Sequence, residues 1–257
     1  MSSPDSDSGP GVLNRASLIL DALAGGTRLS LADLVRRTGL PRSSVHRMLE
    51  RLVALRILER EGNTYRLGLR LVELGSLALQ QDSIRMSAAP YAYDLHRTTG
   101  MIAHVGVLDG TDVVYLEKVG GQFGPKLPTR PGVRLPAEMS ALGRILLAYD
   151  TSTDADWSSR SASELSHIRE SGIAYERGDS VHGFSCVAVP IGPPGAPVAG
   201  ISLCGPSARM SRMNQFVSPL RMAAAGAWHR LDRGVRSSAQ LSHARLEVRS
   251  TPSRPFD

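Results

Sequence analysis

Between Arg28 and Arg70 the apolar residues change from a helical period to a strand period, and few folds accommodate that switch so quickly. Ser30-Leu31-Ala32-Asp33 opens a helix, because a serine N-cap and an acid three residues on can satisfy its first free N–H groups. The helix is short: Gly39 accepts the positive φ of a C-cap, and Pro41 cannot continue it. A second helix is predicted over residues 41–55, with Val45, Met48, Leu49, Leu52 and Val53 in one apolar stripe. Residues 56–60 and 64–67 then alternate about Gly62-Asn63, the signature of a β-hairpin. Two short helices, a tight turn and a hairpin describe a winged helix-turn-helix whose second helix enters the major groove of double-stranded operator DNA.

The side of that helix opposite the stripe carries the expected DNA contacts. Arg42, Ser43 and Ser44 occupy its first turn, where hydroxyl and N–H donors can hold phosphates. His46 and Arg47 follow on the outward face and are expected at base edges. Arg51 joins them, although with Glu50 it also reads as an ordinary solvated face. Arg28, together with Asn63, Tyr65 and Arg66 on the wing, completes the set.

Charge placement agrees with this. Residues 28–70 hold ten arginines against four acids, whereas residues 71–204 hold ten basic and fourteen acidic side chains. A basic head on an acidic body suits a protein that grips a polyanion at one end. Only Lys118 and Lys126 are lysine, so the arginine excess is read as a composition bias, and the charge supports the motif without replacing it.

A chain of 257 residues can form two domains, each with its own core. No apolar run reaches the roughly 18–20 residues that cross a bilayer. The polar, acidic start MSSPDSDSGPG lacks the basic and apolar segments of a signal peptide. Cys186 and Cys204 are too few for a disulfide framework and have no metal-ligand spacing. The expectation is a cytoplasmic protein with no membrane partner, no metal and no cofactor.

Residues 1–11 are rich in Ser, Asp, Pro and Gly and are expected to be disordered. Residues 12–68 form the DNA-binding domain, opening with a helix whose Leu13, Ala16, Leu20 and Leu23 share a face. Residues 69–83 form a linker helix apolar over much of its circumference, with Leu71, Val72, Leu74 and Leu77. It either packs only on its own chain or also pairs two subunits. Residues 84–233 read as an α+β domain. Its elements are a helix to His96, a hairpin of strands 101–108 and 112–119, an irregular Gly/Pro loop over 120–132, helices at 138–149 and 163–171, strands at 184–191 and 198–203, and a last helix at 214–231. The tail at 234–257 lacks periodicity and is expected to be disordered.

TGLPRSSVHRMLERLVALRILER, followed by YRLGLRLVELG, resembles the DNA-binding half of IclR-type bacterial transcriptional regulators. RLPAEMSALGRILLAY, GIAYERGDSVHGFSCVAVPIG and GISLCGP resemble successive blocks of that family's GAF-like effector-binding domain. The resemblance implies a fold of N-terminal winged helix-turn-helix plus C-terminal α+β domain. It also implies a homodimer or dimer of dimers, and a pocket for a small organic effector. At that pocket it places Leu135, Glu138, Met139, Ser140, Ala141 and Leu142 around a helix N-terminus, with Glu176, Cys186, Ser202 and Cys204 at the polar end. Glu138 stands where the family commonly has His, Gly178 replaces an acid, and Cys204 replaces a frequent Ser. An added carboxylate disfavours a di-acid, so a mono-acid or polar aromatic effector is expected, with Arg130 and Arg134 available as positive charge.

The resulting expectation is an effector-controlled DNA-binding regulator, acting as a repressor. Two others stand beside it. One is an effector-independent DNA-binding dimer with a vestigial ligand domain. The other is an enzyme using Cys186 with His182 or His167, which no adjacent base, phosphate loop or metal motif supports. No catalytic residue is therefore assigned.

Overall fold

The computed structural model describes residues 11–150 and 162–249, and the chain divides into two compact units between Leu79 and Gln80. The expected disorder before Gly11 lies outside the described residues. The first unit runs α1 (Val12–Leu23), β1 (Leu29–Ser30), α2 (Leu31–Thr38), α3 (Arg42–Ala54), β2 (Leu58–Glu61) and β3 (Thr64–Leu67). The start of α2 is a capping box: Ser30 Oγ accepts from the Asp33 N–H at 3.2 Å, and the Asp33 carboxylate accepts from the Ser30 N–H at 3.0 Å. Those bonds to Ser30, helped by the Arg36 guanidinium, hold the Asp33 carboxyl down at about 2. Gly39 ends the helix at φ 68°. Ile19, Leu34, Val45, Leu49 and Leu58 close the core beneath α3. The wing gains a strand that the sequence reading did not include, since Leu29 and Ser30 pair with Tyr65 and Thr64.

α4 (Leu69–Gln81) follows. None of its residues is buried, and Leu69, Val72, Leu74 and Leu77 stand exposed along it.

The second unit continues with α5 (Ser83–Thr99), β4 (Ile102–Asp109), β5 (Asp112–Val119), β6 (Arg134–Pro136), α6 (Ala141–Leu147), α7 (Ala162–Ser171), β7 (Ala174–Arg177), β8 (Phe184–Ile191), β9 (Ala199–Pro206) and α8 (Val217–Arg249). Its six strands pair in the order β6-β5-β4-β9-β8-β7, each pairing antiparallel. Ala103, Val105, Val187, Ile201 and Leu203 turn to one face and pack with α5 and α8; Val113, Tyr115 and Ala188 turn to the other and pack with α6.

Four sequence expectations need correction. The helix expected at 138–149 is a 3-10 turn over Ala137–Met139 followed by α6, because Ser140 leaves helical dihedrals to cap the Gly143 N–H at 3.0 Å. The irregular loop contains a 3-10 segment at Gly121–Lys126, and the short strands β6 and β7 were not anticipated. The last helix does not stop at 231: it runs to Arg249, through a stretch expected to be disordered. Residues 235–249 contain no Gly or Pro, and eight of the fifteen are Ala, Leu, Gln or Arg, so helix propensity carries the turn onward without amphipathic pattern. Among the described residues no helix is long and apolar enough to cross a membrane.

Candidate effector pocket and DNA-reading head

A cavity of about 400 Å³ opens between the start of α6, the sheet, and the loop that precedes β6. Its geometry depends on close approach. A Cβ at Gly143 would lie 2.0 Å from the Ala137 carbonyl oxygen, and one at Gly200 would lie 2.8 Å from Leu142 Cδ1. Glycine at both positions lets the 3-10 turn fold onto α6 and lets α6 settle on the strands.

A register shift in the β4–β5 pair does the rest. Val105 faces Glu117, but Gly106 faces Tyr115, so one residue of β5 is bulged out. Glu117 therefore turns toward α5, where its carboxylate meets Arg85 at 2.8 Å. Tyr115 shares the cavity face with His104, their rings edge to face at 5.2 Å. Lys118 crosses to the loop, donating from Nζ to the carbonyl oxygens of Gly124, Leu127 and Thr129 at 2.8, 2.9 and 2.6 Å. This fixes Leu127 and Thr129 as a cavity wall.

Three titratable side chains of the lining, His104, Tyr115 and Cys186, are held neutral. His104 Nε2 lies 2.9 Å from Thr129 Oγ1, and burial, with Lys118 nearby, lowers the imidazole to about 3. Burial raises the Tyr115 hydroxyl against a hydrogen bond with Ser140. Cys186 and Cys204 face each other across β8 and β9. The Cys204 thiol and burial together push the Cys186 thiol well up.

Of the predicted effector residues, Leu135, Glu138, Met139, Ser140, Ala141, Leu142, Cys186, Ser202 and Cys204 all line this cavity. Glu176 does not. It is 1 % exposed, and its carboxylate accepts from the Asp179 and Ser180 N–H groups and from Ser180 Oγ, so it organises the β7–β8 turn. The two arginines offered as positive charge are also elsewhere. Arg134 pairs with Asp109 at 2.6 Å and Asp112 at 3.3 Å on the outer edge, and Arg130 is exposed and does not line the cavity. The Ser140 N–H already has an acceptor, the Ala137 carbonyl at 3.4 Å, leaving Ala141 and Leu142 as the first amides of α6 without an intrahelical one. His104, Tyr115 and Thr129 were missed as lining residues; strict alternation along β4 would have flagged His104 beside Gly106, but the bulge hides Tyr115. Among the described residues no group of three or more His, Cys, Asp or Glu side chains is placed to hold a metal ion.

In the head, α3 turns Val45, Leu49 and Leu52 inward, and Arg42, Ser43, His46, Arg47, Glu50 and Arg51 outward, with Ser44 half-buried. His46 Nδ1 lies 3.7 Å from Glu50. Asn63 is exposed at the wing tip. Arg28 and Arg66 are exposed but engaged, Arg28 with Glu61 at 3.1 Å and Arg66 with Glu59 and Glu61 at 2.5 and 2.8 Å. Tyr65 is a correction: at 6 % exposure it belongs to the core, because alternation on β3 turns it inward between the outward Thr64 and Arg66.

Comparison with known proteins follows the same division. Residues 12–62 match the IclR helix-turn-helix domain, and residues 76–227 match the bacterial transcriptional regulator IclR C-terminal domain. The chain is 34 % identical over 199 residues to the HTH-type transcriptional regulator XynR of Escherichia coli, covering 70 % of this chain and 79 % of that one. It is 31 % identical over 228 residues to the regulator KdgR of the same organism, covering 80 % and 87 %. Among solved structures, an IclR homologue from Microbacterium hydrocarbonoxydans in complex with 4-hydroxybenzoate superposes with a TM-score of 0.75 at 26 % identity, over 87 % of this chain and all of that one.

Proposed function

We infer the function from one premise: the chain belongs to the IclR family of bacterial transcriptional regulators. It is a DNA-binding regulator and not an enzyme. We propose further that it is a repressor whose operator affinity falls when a small organic effector fills the cavity beside α6. The observation supporting this is the convergence of nine residues, assigned by motif from separate blocks of the chain, on one cavity.

The lining favours a compact ligand with an apolar body and one polar head. Thiols, Ser202 and the neutral His104 and Tyr115 offer hydrogen bonds without charge, and the amides of Ala141 and Leu142 offer two more donors. Lys118 is committed to the loop carbonyls and Arg134 to Asp109 and Asp112. A polar aromatic molecule therefore suits the cavity better than a di-acid, with a mono-acid held by the amides as the other member of the class. The ligand of the Microbacterium homologue, 4-hydroxybenzoate, combines both features and is the first probe to try.

The acting species is proposed to be a homodimer or dimer of dimers, paired through the exposed apolar side of α4. Two heads related by a two-fold axis read half-sites about 34 Å apart, so the operator is a near-palindrome. Ser202→Leu and Ala141→Leu fill the cavity without adding charge. Both are expected to abolish the effector response while leaving operator affinity intact, read by fluorescence anisotropy on a duplex that the full-length chain enriches from a random pool. A normal response in both would place the effector elsewhere.

A further inference from the structure

Five of the eleven arginines between Val12 and Arg70 are answered by acids. Arg28 pairs with Glu61, Arg36 with Asp33, Arg66 with Glu59 and Glu61, and Arg56 and Arg70 with Glu73. Three others share one small cleft of about 90 Å³ between α1 and α3: Arg15 from α1, Arg47 and Arg51 from α3, with Ser44 also lining it. Among the described residues none of the three has an acidic partner. Three arginines lining one cleft, beside the apolar Val12 and Met48, concentrate positive charge there, and an anion seated among them would accept charge-assisted hydrogen bonds. The space is small for a nucleobase or a metabolite. It suits one tetrahedral anion, whose oxygens match the fork of a guanidinium, with the Ser44 hydroxyl as a further donor.

The position of the cleft selects the anion. Arg47 and Arg51 are one turn apart on α3, so they form a row along the flank of the helix that faces α1. With α3 in the major groove, that flank runs beside the groove's rim, where the sugar-phosphate strand passes. We propose that Arg15, Arg47 and Arg51 form a phosphate-binding clamp that grips one backbone phosphate bordering the groove. Arg15 is then a DNA contact contributed by the first helix, outside the α2–α3 pair, and Arg47 holds a phosphate in place of a base edge. The clamp rests on the reading of α3 as the DNA-reading helix.

The test uses full-length wild type, Arg15→Gln and Arg15→Lys, with three probes: the duplex enriched by the wild type, a scrambled duplex of equal composition, and inorganic phosphate alone. Arg15→Gln should melt like wild type and weaken both duplexes by the same factor, about tenfold at low salt, with the slope of log affinity against log salt reduced by about 1. Arg15→Lys should restore the slope and part of the affinity. Unchanged affinity and slope in Arg15→Gln would overturn the clamp, as would a loss confined to the enriched duplex, which marks base reading. Thermal stabilisation of wild type by phosphate, with the DNA slope unmoved in Arg15→Gln, would identify a free-anion site and overturn it too. If the wild type enriches no duplex, the DNA reading itself fails and the clamp falls with it.

Discussion

The ammonium of Lys118 and the carbonyl oxygen of Thr129 are 2.6 Å apart, and this bond joins the second strand of the sheet to the loop that walls the cavity. Two further carbonyls, of Gly124 and Leu127, accept from the same Nζ. Burial lowers the Lys118 ammonium against the usual lysine range, yet three carbonyls without a counter-charge still hold it. A charged donor therefore substitutes for secondary structure in a Gly/Pro-rich segment that can build none of its own beyond a 3-10 turn.

Lys118→Met keeps the stem and deletes the donor. It is expected to destabilise the chain by about 2 kcal/mol, since bonds to a charged group are lost and half-buried carbonyls are left to water. The larger effect should be on ligands: binding of the proposed effector should weaken while operator affinity without effector stays at the wild-type value. Urea unfolding and calorimetric titration read the two. Wild-type effector affinity in Lys118→Met would mean that the wall holds without its clamp.

Arg144 performs the matching task behind α6. It is 3 % exposed and donates to the Glu138 carbonyl at 2.9 Å, to the Tyr175 carbonyl at 2.9 Å and to the Asp179 carboxylate, tying the 3-10 turn to β7. Arg144→Met removes the donor that two half-buried carbonyls and the Asp179 carboxylate share. A loss of about 3 kcal/mol is expected, larger than for Lys118 because the group is more deeply buried. Arg144→Lys should recover little, because an ammonium cannot span three acceptors in one plane. Equal stability of the lysine variant and wild type would refute the planar-fork account.

These two cations show where the sequence could be read and where it could not. The head was legible almost to the residue, because capping box, C-cap glycine and apolar stripe are local signals that the structure only assembles. Tyr65 was misjudged because an aromatic on a two-faced strand looks alike inward or outward until its partner strand is known. In the second unit, nine of the residues that motif assigned to an effector site line one cavity, whereas the tenth, Glu176, has its carboxylate spent on backbone N–H groups three and four residues later. His104 and Tyr115 share a face only through the bulge opposite Val105 and Gly106, and no local pattern announces it. Lys118 reaching across to carbonyls at 124, 127 and 129 is likewise a long-range satisfaction of loop groups that composition cannot encode.

The exposed side of α4 yields an oligomer prediction. Leu74 and Leu77 are 45 % and 52 % exposed, and Leu69 and Val72 are exposed on the same helix, an accumulation of uncovered apolar side chains that marks a contact surface. Leu74→Glu and Leu77→Glu are each expected to give monomers by light scattering and to lower operator affinity at least tenfold, since one head alone holds one half-site. Full-strength dimers in both variants would remove α4 from the contact.

The last prediction concerns acid. His104 is 3 % exposed, and its imidazole is lowered from 6.5 to about 3, first by burial and then by the Lys118 ammonium. A base whose folded value lies below its unfolded one binds fewer protons folded than unfolded between those two values. Stability from this group is therefore complete above about pH 6.5 and is lost progressively as pH falls toward about 3. The slope approaches 1.4 kcal/mol per pH unit once the unfolded imidazole is fully protonated. Asp and Glu titrate mainly below pH 5, so between about 5 and 6.5 the difference between wild type and a His104 variant isolates this one of the seven histidines. His104→Asn keeps a side chain that can reach Thr129 and removes the titration. Its stability, from urea midpoints at several pH values, is expected to fall less steeply with acid across that interval than that of wild type. Parallel stability curves for wild type and His104→Asn between pH 5 and 6.5 would show that the imidazole takes up protons in place, and the neutral lining would have to be abandoned.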